Sequence, residues 1–436
     1  MQYLPNIIFA IILVVGVGFF VINIKKIIRN IKLGKDIDRS NHSSDRWKNM
    51  MMIALGQSKM VKRPISGFLH IIVYIGFIII NIEVLEIIID GLFGTHRVFK
   101  PIIGDALYGF LIGTFEILAF LVFFAVTIFW LRRNILKIKR FWSKEMKGWP
   151  KNDGNIILYF EMVLMSLFLI MNATDTHFQE DGVGNSISQF IAPWFHSFSI
   201  DDLHMIEKTA WWLHIIGIFI FLNYLYYSKH LHILLAFPNT YFAKLAPKGK
   251  LNNLASVTNE VKMMLDPEAD PYATSIEAEN EVPEKFGASD VTDLNWVQLL
   301  NAYTCTECGR CTSSCPANLT GKALSPRAIM MKTRDRLEEV GKNIDTNNGT
   351  FVDDGKQLLN DYITPEELWA CTSCNACVEE CPVNIDPLSI IIDMRRYLVM
   401  EQSAAPQELN MMMTNIENNG APWQYSQQDR LNWKDQ

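Results

Sequence analysis

All eight cysteines of this 436-residue chain fall in two runs of one spacing: Cys305, Cys308, Cys311, Cys315-Pro316 and Cys371, Cys374, Cys377, Cys381-Pro382. Each run reads C-x2-C-x2-C-x3-C-P, the pattern that carries two [4Fe-4S] cubanes. The first three thiolates of a run hold one cluster, and the fourth, turned away by its proline, reaches the other. The crossed assignment therefore puts Cys305, Cys308, Cys311 and Cys381 on one cluster and Cys371, Cys374, Cys377 and Cys315 on the second. Structural zinc wants two C-x2-C pairs per ion rather than two identical runs closed by proline. Disulfides need an oxidising compartment, and the charge pattern below puts this segment in the cytoplasm.

The half of the chain ahead of the cysteines is of another kind. The chain is 49% hydrophobic and 20% charged, and its apolar residues concentrate in the first half. A run over about residues 4–24 is long enough to cross a bilayer. It lacks the basic leader and small-residue cleavage site of a signal peptide, and Lys25, Lys26, Arg29, Lys32 and Lys35 follow it. Four further spans are expected at 66–90, 105–131, 155–172 and 208–234. Loops 25–65 and 132–154 are rich in cations, among them Arg132, Arg133, Lys137, Lys139 and Arg140. Loops 91–104 and 173–207 carry few, and the second is acidic at Glu180, Asp181, Asp201 and Asp202. The positive-inside rule then predicts five helices with the N-terminus out and the C-terminus in. A net charge of -6 and the lack of a basic, aromatic-interleaved groove argue against nucleic acid.

The expected fold is all-α. A five-helix transmembrane bundle occupies 1–236, an interfacial segment and linker 237–293, an α-helical two-cluster domain 294–400, and a polar tail 401–436 that docks a partner or stays disordered. The run Phe237 to Pro247 reads as amphipathic and lying on membrane lipid, with Lys244, Lys248 and Lys250 near the headgroups. Thr364-Pro365-Glu366-Glu367 is a helix start, with threonine as N-cap and proline at the first helical position.

Ionisable residues inside spans are costly and point to function. His70 and His232 lie at matching depth, at the cytoplasmic ends of the second and fifth spans, where paired imidazoles hold a six-coordinate haem b. The alternative is a pair of interfacial histidines without metal. His230, beside Lys229, is a second candidate ligand or an interfacial side chain. His214 and His232 are separated by roughly 27 Å of helix, so they cannot share one haem. His214 at the outer end would need another partner, with His177 nearest in depth, or is a hydrogen-bonded structural histidine. Glu83, Glu86 and Glu116, toward the outer half, are proton-handling groups beside a quinone or protonated, hydrogen-bonded carboxyls. Trp211 and Trp212 fit an aromatic belt.

The membrane half, through Lys229-His230-Leu231-His232-Ile233 to Pro238, resembles the gamma subunit of respiratory nitrate reductase, a b-type cytochrome. The soluble half, through Cys305-Thr306-Glu307-Cys308-Gly309-Arg310-Cys311, Leu324-Ser325-Pro326-Arg327 and Asp393-Met394-Arg395-Arg396-Tyr397, resembles the iron-sulfur subunits of heterodisulfide reductase. In this order, with Leu368-Trp369-Ala370-Cys371 ahead of the second run, the chain is similar to membrane-bound iron-sulfur oxidoreductases that carry electrons from electron-transferring flavoprotein to menaquinone. Those proteins continue into cysteine-rich CCG domains, which implies a CCG-domain partner subunit here. The gamma subunits carry a second histidine on the second helix, at the position of Ile80.

The resemblance implies an electron-transfer subunit of a quinone-linked oxidoreductase in the bacterial inner membrane. Its cofactors would be two [4Fe-4S] clusters and haem b, with menaquinone as substrate. The alternatives are a subunit acting on a thiol/disulfide couple and a redox-active anchor without catalysis. No flavin or nucleotide fingerprint and no positioned nucleophile appears.

Overall fold

In lipid a backbone must satisfy its own hydrogen bonds, which an apolar run achieves as a helix. The computed structural model describes residues 3–266 and 285–435. Its first half contains α1 (Leu4–Ile31), α2 (Ser43–Met50), α3 (Pro64–Phe93), α4 (Phe99–Ile103), α5 (Asp105–Asn134), α6 (Trp149–Thr174), α7 (Thr176–Asp181), α8 (Ser188–Ile191) and α9 (Ile200–Tyr224). Helices α1, α3, α5, α6 and α9 are long and apolar enough to cross a membrane. Proline opens α1, α3 and α6, where a missing N–H costs nothing. A reciprocal Ser199–Asp202 capping box opens α9. The bundle packs α3 on α5, α5 on α6 and α6 on α9, with α1 against α9 and α3.

The second half contains α10 (His232–Tyr241), α11 (Ala255–Leu265), α12 (Trp296–Thr304), α13 (Arg310–Ser313), α14 (Pro316–Leu319), α15 (Pro326–Thr346), α16 (Pro365–Trp369), α17 (Ala376–Glu380), α18 (Pro387–Arg396) and α19 (Gln407–Asn419). No strand forms among the described residues, so the fold is all-α as expected. The core of the iron-sulfur domain, including Leu299, Ile329, Leu337, Leu368 and Ile390, is continuous with Ile27 and Ile31 of α1 and with Leu225 and Leu231 after α9. The two halves therefore share one packed interior. At Gly34 the backbones approach so closely that a Cβ would sit 2.7 Å from Trp296 N, next to the Lys35–Asn295 bridge.

Three placements differ from the sequence expectations. The fifth span starts earlier and breaks at Ser228, whose backbone is extended and whose hydroxyl accepts from His230 N. His230 and His232 thus sit on a turn and a new helix, and the count of helical turns from His214 does not run through to them. The segment expected on lipid, Phe237 to Pro247, instead begins as the last turns of α10, a helix packed between α2 and α12. Its Asn239 is buried and donates to Val383 O at 2.7 Å, because the iron-sulfur domain covers this end of the bundle and offers protein partners in place of headgroups. Lys248 correspondingly pairs with Glu379. Finally, packing of the soluble domain begins ahead of Leu294: Ala288, Ser289 and Val291 are buried, and Ser289 O accepts from Leu359 N at 2.9 Å. The linker carries α11; its residues 267–284 lie outside the described residues. In the tail, α19 has no buried residue.

Candidate metal centres

The two cysteine runs adopt one backbone recipe. Two residues after the first cysteine, Glu307 and Ser373 have φ of 53° and 56°; one residue after the second, Gly309 and Asn375 have φ of 71° and 59°. Left-handed backbone costs a non-glycine residue about 1–2 kcal/mol, and such strain persists where a site requires it. The alternation bends each loop so that successive cysteines turn to one centre. At Gly309 a side chain is excluded twice, by φ and because a Cβ would lie 2.5 Å from Arg327 Nη1.

Each fourth cysteine lies near the opposite run. Cys381 lies within electrostatic reach of Cys308, and Cys311 within reach of Cys305, Cys308 and Cys381. Cys371 and Cys377 both sense Cys315. Cys305, Cys308, Cys311 and Cys381 line one small cavity together with Cys377. Burial pushes the Cys305 thiol up to about 12 and that of Cys381 to about 11, so thiolates at these positions call for metal. Ser373 N donates to Cys371 Sγ at 3.4 Å and Ile385 N to Cys381 Sγ at 3.3 Å, the type of bond that tunes cluster potential. An all-sulfur donor set in strained loops with N–H···S bonds fits two [4Fe-4S] clusters.

The first cysteine loop is clamped to the bundle on two sides. Buried Arg310 donates to Lys59 O (3.1 Å) and Met60 O (3.2 Å), just ahead of α3. Glu307 pairs with Lys229, next to the histidine turn, and with Arg334 at 2.9 Å. Lys229 and Glu307 are 9% and 3% exposed, so neither ion has water to fall back on. Lys62–Glu379 (2.5 Å) and Arg63–Glu380 (3.2 Å) hold α17 to the same segment.

His70 stands in the second turn of α3, within electrostatic reach of both His232 and Arg310, and its buried Nδ1 has no hydrogen-bond partner. His232 Nδ1 lies 3.1 Å from Lys229 O. A carbonyl only accepts, so Nδ1 holds the proton and Nε2 carries the lone pair, the arrangement common in metal-bound histidine. Two imidazoles brought within reach of each other are donors of the kind that haem iron takes. His230 packs its ring 5.3 Å from that of His232, but its Nε2 is 3.7 Å from Glu161, a carboxylate competing for the same nitrogen. His214 is buried, its Nδ1 3.0 Å from Leu164 O. Ile80 lies in the apolar cluster with Phe168, whose ring is 6.1 Å from that of His214, and an alkyl side chain offers no ligand. His177 sits beside His204, with ring centroids 6.3 Å apart.

The three bundle carboxylates differ from one another. Glu116 is satisfied by Asn172 (3.1 Å), Ile187 N (2.7 Å) and Ser188 N (3.0 Å), and so staples the α7–α8 segment. Glu86 accepts from Phe99 N (2.8 Å) and Tyr108 OH (3.0 Å). Glu83 is 4% exposed, and its Oε2 has no partner. Beyond them, at the end of the bundle away from the iron-sulfur domain, lies a cluster with no expectation from sequence: Arg97, Asp175, His96 and Glu207. Arg97 has φ of 53°, which turns its guanidinium inward to Asp175 (2.9 Å), Asn172 (3.1 Å) and Tyr108 (3.4 Å). Burial would raise the Asp175 carboxyl, but His96, Arg97 and Phe178 N hold it well below the usual range. Hydrogen bonds to Asp175 and Glu207 push His96 up to about 9.

Residues 304–385 match the 4Fe-4S dicluster domain family. The whole chain is similar to iron-sulfur oxidoreductases. It is 30% identical to a probable iron-sulfur-binding oxidoreductase, FadF, of Bacillus subtilis over 98% of this chain and 60% of that protein. It is 25% identical to the EtfAB:quinone oxidoreductase of Syntrophomonas wolfei over 98% of this chain and 59% of that one. A probable membrane-anchored ferredoxin of Chromohalobacter salexigens is 33% identical over 34% of this chain and 24% of its own length. The chain thus spans about three fifths of the length of the first two relatives. No solved structure matches.

Proposed function

We propose that this chain is the electron-transfer subunit of a bacterial inner-membrane oxidoreductase. It relays electrons between a cytoplasmic donor and the menaquinone pool through two [4Fe-4S] clusters and one haem b. Electron-transferring flavoprotein is the donor that the resemblance and one relative's name favour. The observation that carries the reading is the double clamp on the first cysteine loop. Arg310 fastens it to the segment ahead of His70, and Glu307 fastens it to the turn bearing His232. One loop is thereby held against both candidate haem ligands.

The chain's own residues bind and position; the cofactors supply one-electron chemistry. Cys305, Cys308, Cys311 and Cys381 would hold one cluster, and Cys371, Cys374, Cys377 and Cys315 the other. His70 and His232 would be the haem's axial ligands. His230 has Glu161 as a competing partner, and His214 lacks a second ligand at Ile80, so a single haem is favoured. The bundle excludes water and the iron-sulfur domain seals one end. The test is pyridine haemochrome with iron and sulfide analysis on the purified complex, then addition of a menaquinol analogue. The expected result is haem b that the quinol reduces, with about eight cluster irons per chain. Absence of haem would overturn the cytochrome half of the proposal.

A further inference from the structure

The far end of the bundle holds a run of titratable groups that the relay of electrons does not use. It starts at Glu83, buried among the spans with an unpartnered carboxylate oxygen. Glu86, one turn on along α3, accepts from Tyr108 OH at 3.0 Å. The Tyr108 hydroxyl and the Asp175 carboxylate are two acceptors of one guanidinium, Arg97, at 3.4 and 2.9 Å. Asp175 is 3.4 Å from His96, His96 is 3.5 Å from Glu207, and Glu207 is 3.3 Å from His204. Along this outer part the side chains are 3% exposed at Asp175, 59% at His96, 15% at Glu207 and 40% at His204, so the run meets the surface at His96 and again at His204. Carboxyl, phenol and imidazole are the groups that pass protons, and chains of them within spans mark proton paths.

We propose that Glu83, Glu86, Tyr108, Asp175, His96, Glu207 and His204 form a proton path between the bundle interior and the surface opposite the iron-sulfur domain. The path serves a quinone bound beside Glu83, and so rests on the quinone reading above. A menaquinol becoming a quinone breaks two O–H bonds and releases two electrons and two protons. The electrons leave toward the iron-sulfur domain. The protons pass in turn to the Glu83 carboxylate and outward; reduction of the quinone runs the same steps in reverse. Arg97 keeps its own protons. Its planar fork holds both Tyr108 and Asp175, and its charge keeps Asp175 an anion ready to accept. Asp90 fixes the Arg97 backbone by accepting from Arg97 N (2.8 Å) and Val98 N (3.2 Å). Glu116, with all its contacts filled, stands outside the path.

The outer mouth provides a probe. His96, Asp175 and Glu207 offer ligand atoms within 4.8 Å of one another, a set of the N and O donors that zinc takes, so added Zn2+ should plug the path. The complex is reconstituted into vesicles, orientation is scored by protease access to the iron-sulfur domain, and haem reduction by a menaquinol analogue is followed alongside a pH dye in the lumen. With the domain facing outward, quinol oxidation acidifies the lumen. Glu83→Gln slows haem reduction about a hundredfold, the size of a lost proton acceptor, with haem and cluster spectra unchanged. Zn2+ in the lumen slows the unmutated protein, and His96→Ala, slowed in itself as a member of the path, is slowed no further by Zn2+. Protons appearing on the domain side, or Glu83→Gln reducing haem at the unmutated rate, would overturn the path while leaving the quinone reading intact. Haem that quinol fails to reduce in the unmutated protein overturns the quinone reading, and the path with it.

Discussion

The two ends of the bundle use the same kinds of charged residue for opposite purposes. At the domain end, cations from the bundle loops and from the end of α1 meet carboxylates of the iron-sulfur domain: Lys62 with Glu379, Arg63 with Glu380, Lys229 with Glu307, Arg29 with Asp345. Arg327 of the domain reaches back to Glu145 of a bundle loop at 2.7 Å. At the far end the pairs stay within the bundle's own loops, Lys100 with Asp181 and Arg97 with Asp175, and lead inward to buried Glu86 and Glu83. The cation-rich loops that the positive-inside rule assigns to the cytoplasm therefore serve a second purpose, docking an acidic-faced domain. The far end, with no domain to hold, couples its charges to the interior.

The largest break in this contrast is Cys381→Ser. It would remove one proposed ligand from the cluster on the clamped loop, and we expect about half the cluster iron to be lost, read by iron analysis and EPR, with far-end pairing untouched. His70→Ala comes next: haem absorbance is lost and quinol-driven reduction with it, while iron and sulfide stay at the unmutated level. Lys229→Met sharpens the comparison by breaking a docking pair without touching a ligand. Removing one partner of a buried pair costs about 3–5 kcal/mol, so denaturant and proteolysis should release the iron-sulfur domain early while the spans remain folded. Unchanged protease resistance would sink the clamp.

The smallest effect belongs to the far end and is a pH dependence. His96 is raised to about 9 by Asp175 and Glu207, above the ordinary value of about 6.5. The stabilisation from its imidazolium is fully present below about pH 6.5 and is lost as pH rises through about 9. Because His96 is more than half exposed, the loss should stay under about 1 kcal/mol. Melting temperature between about pH 6 and 10 should fall in the unmutated protein and fall less in His96→Ala.

Local chemistry was legible where a signal lies in consecutive residues. The all-α class, five spans and the cluster repeat follow from apolar run length and from cysteine spacing, since a bilayer and a cubane each set a length of chain. The break at Ser228 was not legible, because apolar residues resume on its far side and the bonds that fix it, the Ser228 hydroxyl on His230 N and distant Asp153 on Lys229 N, leave no periodic signal. α10 looked like a lipid-facing helix for the same reason: amphipathicity tells that a face must be covered, but not by what. The Arg97 cluster left no pattern, being drawn from the loop at 96 and 97, residue 175 after α6 and residue 207 in α9.

By itself, then, the sequence determined what kinds of environment this chain needs: bilayer for one half, and soft thiolate sites with left-handed turns for the other. Only the tertiary structure decided which end of the bundle the iron-sulfur domain covers residue by residue, which histidine keeps a free nitrogen, and which of three bundle carboxyls is left without a partner. The physical reason is range. Helix hydrogen bonds and ligand spacing act over a few residues of chain, whereas ion pairing and burial act through space between segments hundreds of residues apart, as Arg310 and Lys59 are.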